Sequence, residues 1–121
     1  MSAPKGYKRP WYNTMALNAG TAVDLRTPVN ASSTVFLTKA TLSIVTHANG
    51  KLVAIQDSTA SPVTWAKHLD ATAAAGVPSV VTWDFGQYGI PMTTGKKCQA
   101  ISEASGPAGY VYAEGYEIEV L

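Results

Sequence analysis

An all-β domain, an antiparallel sandwich or small barrel, is the fold class that this sequence predicts, and three observations carry the prediction. Apolar and polar residues alternate with the two-residue period of a strand, as in "VFLTKATLSIVT" from Val35 to Thr46. The same stretches are rich in β-branched residues, whose side chains pack well on a pleated surface. Gly, Pro, Asn and Ser interrupt the alternation at short intervals, which leaves room for about seven or eight short strands. At 121 residues the chain has the size of one domain, able to bury a core without disulfides or metal, and it shows no internal repeat.

The first segment, Pro4 to Tyr12 ("PKGYKRPWY"), holds Lys5, Lys8 and Arg9 with no acid between them, interleaved with Tyr7, Trp11 and Tyr12. It reads as a short extended N-terminal arm over residues 1–12, with the sandwich occupying 13–121. Binding phosphate and stacking bases is one use of such a segment. Docking on a partner surface explains it equally well, and termini are often simply mobile. Short strands follow at Thr14 to Asn18 and Ala22 to Leu25, divided at Ala19-Gly20. In the long strand after them, Phe36, Leu42 and Ile44 share one parity, and Lys39, Thr41 and Ser43 the other. Asn49-Gly50 then offers the left-handed conformations of a tight hairpin turn, with Leu52 to Gln56 as the returning strand.

One segment breaks the pattern. In "TWAKHLDATAAAG", Trp65 and Leu69 fall four apart and Gly76 could cap a helix end, so one or two helical turns are expected there, with a loop as the alternative. "PSVVTWDFG" returns to strand alternation at Val81, Trp83 and Phe85. Gly89, Pro91 and Thr93-Thr94-Gly95 mark an irregular edge segment before a strand at Lys96 to Ser102. "SGPAG" turns the chain into a last strand from Tyr110 to Leu121.

Composition limits the partners. Charged residues make up 14% of the chain, below the roughly 25% typical of globular domains. The net charge of +1 gives no general reason to expect nucleic acid or an anionic membrane, and no apolar run reaches the roughly 20 residues of a membrane-spanning helix. Cys98 is the sole cysteine, so no intramolecular disulfide can form. With no apolar signal-peptide core at the N-terminus, synthesis in a reducing cytoplasm is expected.

Candidate chemistry centres on Glu103, Glu114, Glu117 and Glu119. Glycoside hydrolysis needs two carboxylates facing each other across a cleft. Strand parity instead sends Glu117 and Glu119 to a wet face opposite Tyr116, Ile118 and Val120. Glu114 shares parity with Tyr110, Tyr112 and Tyr116, and Gly115 follows it. A bulge at Glu114-Gly115 would eject the carboxylate and swap the faces, bringing Tyr116 and Ile118 inward. A buried carboxylate is the alternative, and would support a small hydrolase using Glu114 with Glu103. His47 and His68 lack partners at metal-ligand spacing and read as separate surface histidines. Cys98 has no nearby histidine and reads as a small core thiol. No catalytic, cofactor or metal site is expected.

The segments "STVFLTKATLSIVTHANGKLVAIQDS" and "GIPMTTGKKCQAISEASGPAGYVYAEGYEI" resemble small tailed-phage virion proteins with a TNF-like jelly-roll sandwich, which decorate or cement the capsid. In that family a Gly-Leu-Pro turn and a Gly-Lys pair lead into one strand, and a strand ending Gly-Tyr-Glu closes the fold. Gly89-Ile90-Pro91, Gly95-Lys96 and Gly109 to Glu117 stand in those positions, and the likeness spans roughly Ser33 to Ile118. The resemblance implies a structural virion protein on the outer capsid surface, a homotrimer that braces the major capsid protein, without catalytic activity, nucleic acid or membrane. Lys5, Tyr7, Lys8, Arg9, Trp11 and Tyr12 are then the candidate capsid contacts, and Tyr110, Tyr112 and Tyr116 the candidate subunit interface. A head fibre, tail fibre or receptor-binding knob is the alternative, with Trp65 and Tyr88 in loops facing host glycan.

Overall fold

The computed structural model describes residues 6–61, 64–71 and 79–120. Its strands are β1 Gly6–Leu17, β2 Ala22–Arg26, β3 Ser33–Thr46, β4 Leu52–Asp57, β5 Thr64–Leu69, β6 Val80–Asp84, β7 Ile90–Pro91, β8 Cys98–Ser102 and β9 Ala108–Val120. They form two sheets, one in the order β1-β9-β3-β6 with β7 also on β3, the other in the order β2-β8-β4-β5. All of these ladders are antiparallel. With the short β7 set aside, this is the strand order of a jelly roll: the ends of the chain pair first (β1 with β9, β2 with β8), and the middle folds in between them. The protein is an antiparallel β-sandwich, as its alternation predicts.

The core lies between the sheets. Val35, Leu37 and Leu42 from β3 meet Val53 and Ile55 from β4, with Leu17, Leu25, Ala100, Val111 and Ala113 filling around them. Each of these side chains is at most 1% exposed. Burying one leucine or isoleucine of this kind stabilises the fold by about 2 kcal/mol.

Four expectations from the sequence change here. The segment through residue 12 is, from Gly6, no free arm: it forms most of β1, which pairs with β9 from Gly6↔Val120 to Leu17↔Gly109. The apolar body of Trp11 draws it in, since that ring is 5% exposed and belongs to the core. Second, β3 and β4 are not a hairpin. Gly50 does take the left-handed conformation (φ 72°), but the turn carries the chain across to the other sheet, and its N–H donates to the Asp70 carbonyl.

Third, Thr64–Leu69 is strand β5, paired with β4 from Leu52↔Leu69 to Gln56↔Thr64, and not a helix. The unsatisfied edge of β4 supplies backbone partners that outweigh local alanine propensity; the rest of that segment, 72–78, lies outside the described residues. Fourth, the bulge opposite Glu114-Gly115 sits on β3. Leu37 pairs Gly115 and Lys39 pairs Glu114, so Thr38 is the extra residue. Its Oγ1 donates to the Glu114 carbonyl at 3.0 Å, and its own carbonyl accepts from Phe85 N–H at 2.8 Å.

Candidate functional site

Because the bulge is on β3, the faces swap on β3 and not on β9. Inward residues of β3 are Ser33, Val35 and Leu37 before Thr38, and Ala40, Leu42 and Ile44 after it. β9 runs straight through, keeping Val111, Ala113, Gly115 and Glu117 inward and Tyr110, Tyr112, Glu114, Tyr116 and Ile118 outward. Gly115 has to be glycine: a Cβ there would collide with the Phe36 carbonyl oxygen and lie 3.1 Å from the Trp11 ring. The indole covers the space that the missing side chain leaves.

The outward face of the first sheet is aromatic. Tyr12 is 79% exposed, Tyr110 53% and Tyr112 37%; across the ladders Thr14 and Thr41 lie beside Tyr112, Ala16 and Ser43 beside Tyr110, and Glu114 beside Tyr12. The Tyr112 hydroxyl donates to the Glu114 carboxylate at 3.3 Å. Tyr116 is different. It stacks on Phe36 with ring centroids 4.7 Å apart, the Lys8 ammonium sits 4.4 Å above its ring, and its hydroxyl donates to the Tyr88 carbonyl at 2.6 Å. Of the tyrosines expected at a subunit interface, Tyr110 and Tyr112 present free rings, while Tyr116 is covered by its own chain.

The candidate capsid contacts divide in the same way. Lys5 lies outside the described residues, and Tyr7 is placed only by its backbone, opposite Glu119. Lys8 leans on Tyr116, Arg9 reaches Glu119 at 3.4 Å, Trp11 is buried, and Tyr12 stands out from the sheet.

Glu117, expected on a wet face, is 1% exposed. Arg26 Nε donates to Oε1 and the Val29 N–H to Oε2, each at 2.8 Å. Glu119 accepts from Asn30 Nδ2 at 2.8 Å. These glutamates therefore fasten the β2–β3 connection to the closing strand. Glu114 lies on the outer face.

A second polar cluster forms where β3 and β5 end and β6 begins. Asp70, 1% exposed, accepts from the Ala48 N–H at 2.8 Å and lies 2.9 Å from His47 Nδ1. His68 Nε2 is 3.5 Å from the same carboxylate oxygen. Burial opposes the Asp70 charge, but the hydrogen bonds from Ala48, His47 and Ala71 outweigh it and hold the carboxyl below its ordinary value. The His47 Nε2 lies 3.3 Å from Ser79 Oγ. The histidines that look unrelated in the sequence thus converge on one aspartate, which strand pairing brings to both.

No family model and no curated protein matches the chain. Among solved structures it is similar to one of Bacillus endospore appendages, a family of disulfide-linked pili. The identity is 9%, the TM-score 0.45, and the match covers 100% of this chain and 97% of that one. So distant a likeness carries no functional argument.

Burial, and then the Asp57 charge, push the Cys98 thiol up to about 12, so it stays protonated at neutral pH and is a poor nucleophile. Asp57 itself ties loops together, accepting from the Thr59 and Thr93 hydroxyls at 2.7 Å each. Among the described residues no group of three or more His, Cys, Asp and Glu could hold a metal ion. A cleft of about 380 Å³ opens between β1 and β2, lined by Trp11, Asn13, Asp24 and Arg26 among others. Its polar groups are largely engaged within the protein: Asn13 donates to the Leu25 carbonyl, Asp24 accepts from Lys97 and Gln99, and Arg26 pairs with Glu117.

Proposed function

We propose that this chain is a structural virion protein, a decoration or cement protein that binds and stabilises the major capsid protein lattice of a tailed bacteriophage. It acts as a homotrimer on the outer capsid surface, by binding and without turnover. The observation that carries this reading is the aromatic outward face of the first sheet. Tyr12, Tyr110 and Tyr112 stand exposed on paired strands; Thr, Ser and Ala flank Tyr110 and Tyr112, and Glu114 lies opposite Tyr12. Tyrosine on a rigid sheet gives contact area at small conformational cost, and sparse charge lowers the desolvation penalty of a packed interface.

The jelly-roll strand order agrees with the resemblance in the turn and strand residues of the β7 to β9 region. A trimer that touches several capsid subunits at once gains avidity from the effective concentration of its later contacts, so weak single contacts suffice. Co-sedimentation with expanded, undecorated capsids tests the reading. The protein should pellet with them at a fixed copy number per particle; protein left in the supernatant at saturating concentration would refute capsid binding.

The fibre or receptor-knob alternative rests on Tyr88, 75% exposed in the β6–β7 loop, and on Trp65, 38% exposed on β5. Copy number separates the readings: hundreds per particle mark a shell protein, and a handful marks a fibre or tail part.

A further inference from the structure

We infer that Ser79 is an activated nucleophile, an acylation site that takes an acyl group from an activated carboxylic ester with His47 as general base and Asp70 as the group that orients the base. The arrangement is the one that nucleophilic catalysis requires: a hydroxyl within reach of a base, and the base held by a third group. Asp70 can only accept, so His47 Nδ1 carries the proton of their 2.9 Å contact. That tautomer leaves Nε2 as an acceptor, facing the exposed Ser79 hydroxyl at 3.3 Å.

Backbone bonds hold the parts in place. Asp70 N–H donates to the Lys51 carbonyl at 2.8 Å, Gly50 N–H to the Asp70 carbonyl at 2.9 Å, and Ile44 N–H to the Ser79 carbonyl at 2.7 Å. Base, orienting group and nucleophile therefore flank the ends of three separate strands, β3, β5 and β6, rather than sitting on one loop. The second Asp70 oxygen accepts from the Ala48 N–H, which helps to keep the carboxylate turned toward the histidine. Val45, Leu69 and Val80, each within two residues of a member of the set, are 68%, 64% and 58% exposed and give an apolar acyl chain a surface to lie on.

In the step itself the Ser79 oxygen forms a bond to the acyl carbon and the ester carbon–oxygen bond breaks. The Ser79 proton passes to His47 Nε2 and from there to the departing alkoxide. The products are O-acyl Ser79 and an alcohol, with no change of oxidation state. This reactivity is stoichiometric and independent of capsid binding.

The test treats the intact chain with p-nitrophenyl acetate at neutral pH and follows acetylation of each serine by peptide mass mapping. Ser105, exposed and without a histidine contact among the described residues, is the internal reference. Ser79 should acylate about a hundredfold faster than Ser105, the usual contribution of a positioned base. His47→Gln should bring Ser79 to the reference rate, and Ser79→Ala should abolish the fast phase. His68→Gln, which touches Asp70 but not Ser79, should keep the fast phase and controls for disturbance of the cluster. Equal rates at Ser79 and Ser105, or an unchanged Ser79 rate in folded His47→Gln, would overturn the assignment.

Discussion

The two faces of β9 are built differently. Its inner face carries a glutamate, 1% exposed and paired with Arg26, while its outer face carries tyrosine rings up to 53% exposed. The inner face joins the core through Val111 and Ala113 and then buries the Glu117 carboxylate, while the outer face sets tyrosine rings beside Glu114. The inner face serves cohesion, because Glu117 satisfies both a guanidinium and the Val29 N–H of the loop that has to fold over it. On the outer face Tyr116 is tied to Phe36, Lys8 and the Tyr88 carbonyl within the chain, whereas the Tyr110 and Tyr112 rings lie exposed.

If that division is right, the inner face should be the more sensitive to substitution. Glu117→Ala leaves Arg26 and the Val29 N–H without their acceptor and should cost about 3 kcal/mol or more, read from the midpoint of denaturant unfolding; a loss below about 1 kcal/mol would remove the pair from the account. Gly115→Ala forces a methyl against the Phe36 carbonyl, which as backbone can yield only by distorting the ladder. A cost of about 2 kcal/mol is expected by the same assay.

Acid should loosen the protein at the Asp70 cluster. The folded Asp70 carboxyl lies below its ordinary value of 3.8. Its contribution is therefore complete above that value and lost as pH falls through the lower folded one. Thermal unfolding followed across this range should show Asp70→Asn flattening the acid limb relative to the wild type. Tyr116→Phe removes the hydrogen bond to the Tyr88 carbonyl and should cost about 1 kcal/mol, measured by thermal unfolding.

The sandwich was legible because most strands keep a clean period, and because glycines such as Gly50 fall where a turn needs them. The sheet assignment of each strand was not legible. The Asn49-Gly50 turn is compatible with a hairpin and with a crossing between sheets, and only the pairing of β4 with β8 decides. At the candidate site, sequence parity pointed to Glu114-Gly115 as a register irregularity. The ladder has one at that height, but the extra residue is Thr38 of the partner strand. That difference put Glu117 inside, since a bulge shifts the faces only of the strand that bears it. The outward tyrosines Tyr110 and Tyr112 could be read from their period, whereas the coverage of Tyr116 by Phe36 and Lys8 depends on cross-strand neighbours. The meeting of His47, Asp70 and Ser79 left no local signal, because three separate segments supply it.

The smallest effect on folding should accompany the largest on assembly. Tyr110→Ser with Tyr112→Ser should change unfolding free energy by about 0.5 kcal/mol or less, and sedimentation velocity on this double variant tests the division of β9 most directly. The account predicts a trimer for the wild type and a folded monomer for the variant. A wild-type monomer, or a variant that remains trimeric, would contradict it.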